Sequence, residues 1–253
     1  MLWYKAWLET RWRFAIGFVL LMCSAVGVVI VYPNIAKLAP LIPSIDTSNE
    51  IGRRIREAAE LSREYRGYVW SQWFRQNLSQ IATLFAVLLG SGSLLAPGGA
   101  ALFTLSLPVS RGRVAAVRAA TGLAELFAMV FASSLLVSIV SPAVGESYGV
   151  ASALIHATCA FVVSGVFFSL AFLISSELSD IWRPLLITLA VAFGLNLCEQ
   201  IVGGLSRYGV FSVMSGESYF RSAHVPWIGL LLTAAASATM LYGAARNLAR
   251  RDF

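Results

Sequence analysis

Six apolar runs, each about as long as a bilayer is thick, constrain this chain before any motif is considered. A helix crosses the hydrocarbon core with about 20 predominantly apolar residues. Runs of that kind occupy residues 14–32, 77–96, 119–140, 150–175, 184 to about 200–205, and 226–245. Only 13% of the chain is charged, against about 25% in soluble domains. The mean hydropathy is +0.74. Backbone groups find no water in lipid, and these runs lack the alternation of barrel strands, so helices are the expected form. The expected fold class is all-α: one polytopic domain over residues 1–253 with six transmembrane helices.

An even number of spans puts both termini on one side, and short flanking loops rich in Lys and Arg mark the cytoplasm. With the termini inside, the inner flanks carry Lys5, Arg11, Arg13, Arg111, Arg113, Arg118, Arg183, Arg246, Arg250 and Arg251. The opposite side has Lys37, Arg207, Arg221 and a cluster between Arg53 and Arg75 that is interleaved with Glu57, Glu60 and Glu64. The termini are therefore expected in the cytoplasm. The first run is too long for a signal-peptide core, and Tyr32-Pro33-Asn34 offers no small-x-small cleavage site, so an uncleaved helix is expected. Residues 1–13 are basic and aromatic and suit an interfacial elbow helix, with Trp3, Trp7 and Leu8 among the headgroups; a plain extension of the first span is the alternative. Cys23, Cys159 and Cys198 fall within spans as small apolar residues, with no disulfide framework or metal spacing. The net charge of +6 serves topology and does not indicate nucleic acid as a partner.

Two outer connections are long. Residues 37–76 contain an amphipathic pattern, with Ile51, Ile55, Ala58 and Leu61 at helical spacing and Asn49 placed to cap it. It reads as a lid over an exit path or as a solvated spacer. The aromatic stretch YVWSQWF at 68–74 fits an interfacial belt before the second span. Residues 206–225, with Gly209 and Gly216, suit a short hairpin against the bundle. The inner connection 97–118 differs: its middle is apolar, too short to span, broken by Pro108, and followed by arginines. Such a segment needs the membrane surface or a partner protein to cover it.

That connection carries the run FTLSLPVSRGR from Phe103 to Arg113. It resembles the signature after the second span in permeases of the type-2 exporter class of ABC transporters. The opening LWYKAWLETRWRF and the segment SELSDIWRP before the fifth span are similar to small bacterial members. The resemblance covers essentially the whole chain. It implies a subunit of the bacterial cytoplasmic (inner) membrane that is not itself an enzyme and binds no cofactor. ATP and magnesium would sit on a separate ABC ATPase subunit, and the permease would pair as a homodimer within membrane lipid. The chain contains no G-x-x-x-x-G-K-[ST] sequence. By this resemblance the loop 97–118 is the coupling element. Phe103, Leu105, Leu107 and Pro108 would enter a cleft of the ATPase, with Arg111 and Arg113 at its rim. The stretch 96–101 lacks the acid that many members carry there, so the contact rests on 105–113.

Charge in a membrane helix costs about 2.5–3.5 kcal/mol at the bilayer centre on insertion scales, so each polar residue in a span asks for a reason. Glu125 falls near the inner end of its span; His156, Asn196 and Glu199 fall toward the outer side, where His156 and Glu199 are at comparable depth and able to pair. They line a substrate or proton path, or they make hydrogen bonds between helices. Small residues Ser164, Gly165, Ser169 and Gly194 favour close packing. Two function classes follow: the membrane half of an ATP-driven exporter, or an intramembrane enzyme or assembly factor without an ATPase. An enzyme would need acids, His or Ser clustered at one depth; an exporter needs the apolar coupling loop.

Overall fold

A computed structural model describes residues 2–38, 60–92, 110–178, 180–201 and 209–250, and in this range 91% of residues are helical with no strand. The elements are α1 (Leu2–Leu38), α2 (Tyr65–Val69), a π-helix (Trp70–Leu78), α3 (Ser79–Gly90), α4 (Arg111–Val140), α5 (Val150–Glu177), α6 (Trp182–Ile201), α7 (Val210–Ser215), α8 (Glu217–Ser222) and α9 (Trp227–Arg250). A short 3-10 turn, Ser141–Val144, closes α4. Five helices, α1, α4, α5, α6 and α9, are each long and apolar enough to cross a membrane. The chain is thus an all-α polytopic membrane protein.

The expected second span is assembled differently. The residues joining α2 to the π-helix and the π-helix to α3 keep right-handed helical dihedrals, so residues 65–90 form one continuous rod. The π-helix widens its middle, and the Ser79 hydroxyl donates to the carbonyl of Phe74 five residues back, at 2.7 Å. The aromatic stretch expected at an interface lies in the core: Tyr68, Trp70, Trp73 and Phe74 are buried. Packing against α7, α5 and α1 outweighs the interfacial preference of these rings, because each apolar aromatic face buried this way leaves water or headgroup altogether.

Residues 2–13 form no separate elbow. The helix α1 runs unbroken for 37 residues, a rise of roughly 55 Å. The reason lies in its polar anchors: Thr10 and Arg13 are bound to α4 and to the end of α3, which carries the helix straight into the bundle.

The helix α5 forms the centre. In its most apolar window 61% is buried, against 22% in α6 and 11% in α9. It packs on α3, α4, α7 and α9. Close approach is permitted at Gly90, where any Cβ would strike the carbonyl of Phe168. The α5–α9 pair is parallel, since Gly165 lies beside Ser237 and Gly243 beside Leu173. Gly194 faces open space and draws no helix close. Hydroxyls survive in this apolar setting by bonding within their own helices: Thr121, Ser133, Ser134, Ser141 and Ser169 each donate to the carbonyl four residues back.

The bundle therefore has two ends. The terminal end carries the start of α1, the ends of α3, α5 and α9, and the starts of α4 and α6. The distal end carries the end of α1, the start of the 65–90 rod, and the pair α7–α8.

Candidate functional site

At the terminal end a polar cluster joins four helices. Glu125, 6% exposed, receives the Thr10 hydroxyl at 2.5 Å. Its second carboxylate oxygen is buried without a hydrogen-bond partner. Arg13 donates through Nη1 to the carbonyl of Leu88 at 2.7 Å. Leu88 stands in the last turn of α3, where carbonyls have no intrahelical donor, so the guanidinium caps the helix. Arg118 and Glu9 approach to 3.5 Å, and the guanidinium rests against Gly92, leaving no room there for a Cβ. The Ser175 hydroxyl donates to the carbonyl of Gly92 at 3.1 Å. Residue 92 and residue 118 flank the inner connection, so both of its ends are fastened to α1 or α5.

Phe103, Leu105, Leu107 and Pro108 lie outside the described residues, as does the side chain of Arg111. Arg113 is exposed on the first turn of α4. An outward guanidinium at that point is free to meet water or a partner.

The distal end centres on a junction of neutral groups, flanked by the guanidinium groups of Arg75 and Arg66 over the rings of Trp70 and Phe220 at 5.6 and 5.7 Å. The carbonyl of Ser215 closes α7 and accepts two bonds, from Trp70 Nε1 at 3.1 Å and from His156 Nδ1 at 2.9 Å. A carbonyl only accepts, so Nδ1 carries the proton. His156 is buried, stacked on Phe74 at 4.6 Å and edge-on to Tyr219 at 5.4 Å. Gly216, at φ +65°, follows directly; a Cβ there would come 2.6 Å from His156 Nδ1. Only glycine meets both the left-handed backbone and the contact. Trp70 also stacks on Phe220 of α8, centroids 4.3 Å apart and rings 4° from parallel.

The expected His156–Glu199 pair is not formed. Glu199 instead accepts the backbone amide of Phe211 at 3.1 and 3.2 Å, with the amides of Val210 and Ser212 close by. These are the orphan donors at the start of α7, and a carboxylate is their natural partner. His156 is taken by the other end of the same short helix. Residue counting gave the two a common depth but not a common azimuth. Asn196 is half-buried and accepts from Gln200 on its own helix at 2.6 Å.

Of the four polar residues singled out from the sequence, none meets another: Glu125 belongs to the terminal cluster, His156 and Glu199 to opposite ends of α7, Asn196 to the flank of α6. The decisive partners were ordinary in sequence. Thr10 sits in a polar segment and gives no signal. Ser215-Gly216 carries one: a glycine ending a short apolar run marks a helix C-terminus whose carbonyls need donors. No protein-family model, curated protein or solved structure matches the chain.

Proposed function

We propose that the chain is the membrane-spanning permease subunit of an ATP-driven exporter of the type-2 ABC class. It works as a homodimer in the bacterial cytoplasmic membrane, with ATP and magnesium on a separate ATPase subunit. The observation that carries the reading is the apolar FTLSLPVSRGR run between the second and third spans. Two features of the bundle support it. First, the residues on either side of that connection are fastened to α1 and α5 through Arg118, Gly92 and Ser175. A displacement delivered there passes into the bundle through packed, hydrogen-bonded contacts. Second, His156 and Glu199 are each committed to α7, and Glu125 to Thr10, an arrangement that ties helices to one another.

Changing both Leu105 and Leu107 to Asp tests the reading. Burying one such side chain contributes about 1.5–3 kcal/mol, so the double variant should insert normally yet lose co-purification with the ATPase, or lose transport-linked ATP turnover. Normal assembly and transport by that variant would remove the coupling role. ATP hydrolysis by the purified chain alone would overturn the subunit assignment.

A further inference from the structure

We infer that the terminal end of the bundle carries a girdle for the phosphate groups of anionic phospholipids, built from three guanidinium–aromatic pairs on three separate helices. The pairs are Arg11 with Trp12 on α1, Arg183 with Trp182 on α6, and Arg246 with Tyr242 on α9. This inference goes beyond the transport reading and does not depend on it.

The three aromatics are exposed to nearly the same degree, 70% for Trp12, 68% for Trp182 and 67% for Tyr242. Arg11 and Arg246 are exposed beside them, and the Arg183 side chain is 73% exposed. The Arg11 guanidinium stands 5.7 Å from the Trp12 ring. Arg183 has Asp180 at 3.8 Å, a surface pair of the weak kind that a phosphate displaces at little cost.

Packing places the pairs at one height. Arg13 meets Leu88 and Ser175 meets Gly92, so the start of α1 is level with the end of α5. Leu173 lies beside Gly243, which puts Arg246 one turn further, level with Ser175. Trp182 opens α6 just after α5 ends at Glu177. The girdle thus spans roughly 10 Å or less along the bundle axis, about two helical turns.

The distance to the far side matches a bilayer. From Trp227, exposed at 67% at the distal end, α9 rises roughly 28 Å to Arg246, against about 30 Å of hydrocarbon. Between them the outer surface is apolar, with Leu186, Ile187, Leu231 and Leu232 exposed. Charge complements an anionic surface at one end only. Among the described side chains the terminal half has seven basic and four acidic residues, and the distal half five of each. Aromatic rings settle at the headgroup level and the guanidinium fork binds phosphate oxygens, so each pair supplies both halves of a headgroup contact.

The test uses the full chain in vesicles of phosphatidylcholine mixed with phosphatidylglycerol, with bromine carried on the acyl chains of one lipid or the other. Trp12 and Trp182 are the reporters in a background where the exposed Trp3, Trp7 and Trp227 are changed to Phe, since bromine quenches tryptophan on contact and Trp70 and Trp73 are buried. The wild type should prefer phosphatidylglycerol by about fivefold or more, the factor that one basic residue near an anionic surface supplies. The R11Q/R183Q/R246Q variant should show no preference, and the R11K/R183K/R246K variant should keep most of it. A K37Q/R63Q variant at the distal end should match the wild type. Equal quenching by both lipids in the wild type would overturn the inference. So would a preference that survives in the triple Gln variant or is lost in the distal one. If the triple Gln variant loses its helical circular dichroism, the single variants Arg183→Gln and Arg246→Gln decide, each lowering the preference if the girdle holds and leaving it unchanged if it does not.

Discussion

The two ends of the bundle solve the same problem with opposite materials. Each must satisfy backbone groups where a helix stops inside an apolar protein. At the distal end the donors are an indole and an imidazole, and they converge on one carbonyl, that of Ser215. At the terminal end the carbonyl of Leu88 is met by the guanidinium of Arg13, and the Thr10–Glu125 and Arg118–Glu9 contacts join helices of the same cluster. Neutral groups stacked among aromatics make a junction that holds one geometry. The terminal cluster sets charge inside the protein, with Glu125 6% exposed and the Arg118 side chain 15%, so each group there depends on the partner it has. The difference teaches that the distal junction is fixed by shape and the terminal one by charge balance.

That contrast can be broken most directly at Gly216. Replacing it with Val forces a β-branched residue to φ +65° and drives Cβ into His156. A loss of about 3 kcal/mol or more is expected from strain and overpacking together, read as a lowered thermal midpoint in detergent and release of the α7–α8 pair to protease. Next comes the shared carbonyl. Trp70→Phe keeps the stack on Phe220 but removes one donor, costing about 1 kcal/mol, and His156→Phe removes the other. The double variant leaves the carbonyl orphaned, so its loss should exceed the sum of the two, measured as a double-mutant cycle on unfolding. At the terminal end Glu125→Gln still accepts from Thr10, and Arg118→Gln leaves Glu9, whose side chain is 41% exposed, within reach of water. Each removes a buried charge without leaving its partner charge buried and unpaired, so each should change stability by less than about 2 kcal/mol. Under the proposed permease reading, each should lower transport-linked ATP turnover more than Trp70→Phe does. A terminal variant that unfolds the protein, or a distal variant that uncouples it, would reverse the comparison.

The sequence carried the helical class and the places of the spans, because burial of backbone in lipid leaves few choices. It misjudged the start of the second span. Ser71, Gln72, Arg75, Gln76 and Asn77 lower the apparent apolarity of 68–78, yet the buried face of that stretch is formed by Trp70, Trp73, Phe74 and Leu78. A run that mixes polar and aromatic residues reads as an interface when no partner is visible. The same lack of a partner hid the role of Thr10, and it made a pair of His156 and Glu199 that the short helix α7 separates. Glu125 was recognised as a residue needing a reason, but the reason was a threonine on another helix, more than a hundred positions away.

The π-helix of residues 70–78 bears on where this chain tolerates a change of length. Each of its wide turns encloses one residue more than an α-turn, so the rod holds surplus chain without growing in reach. Removing one residue there should let the segment tighten into ordinary α-helix, whereas a deletion in α3 would rotate Ala82, Phe85, Ala86 and Leu89 away from the core that now buries them. Descendants or ancestors of this protein that differ by single-residue gaps should therefore concentrate them in 70–78, and the indole that reaches Ser215 would be the side chain such a gap repositions.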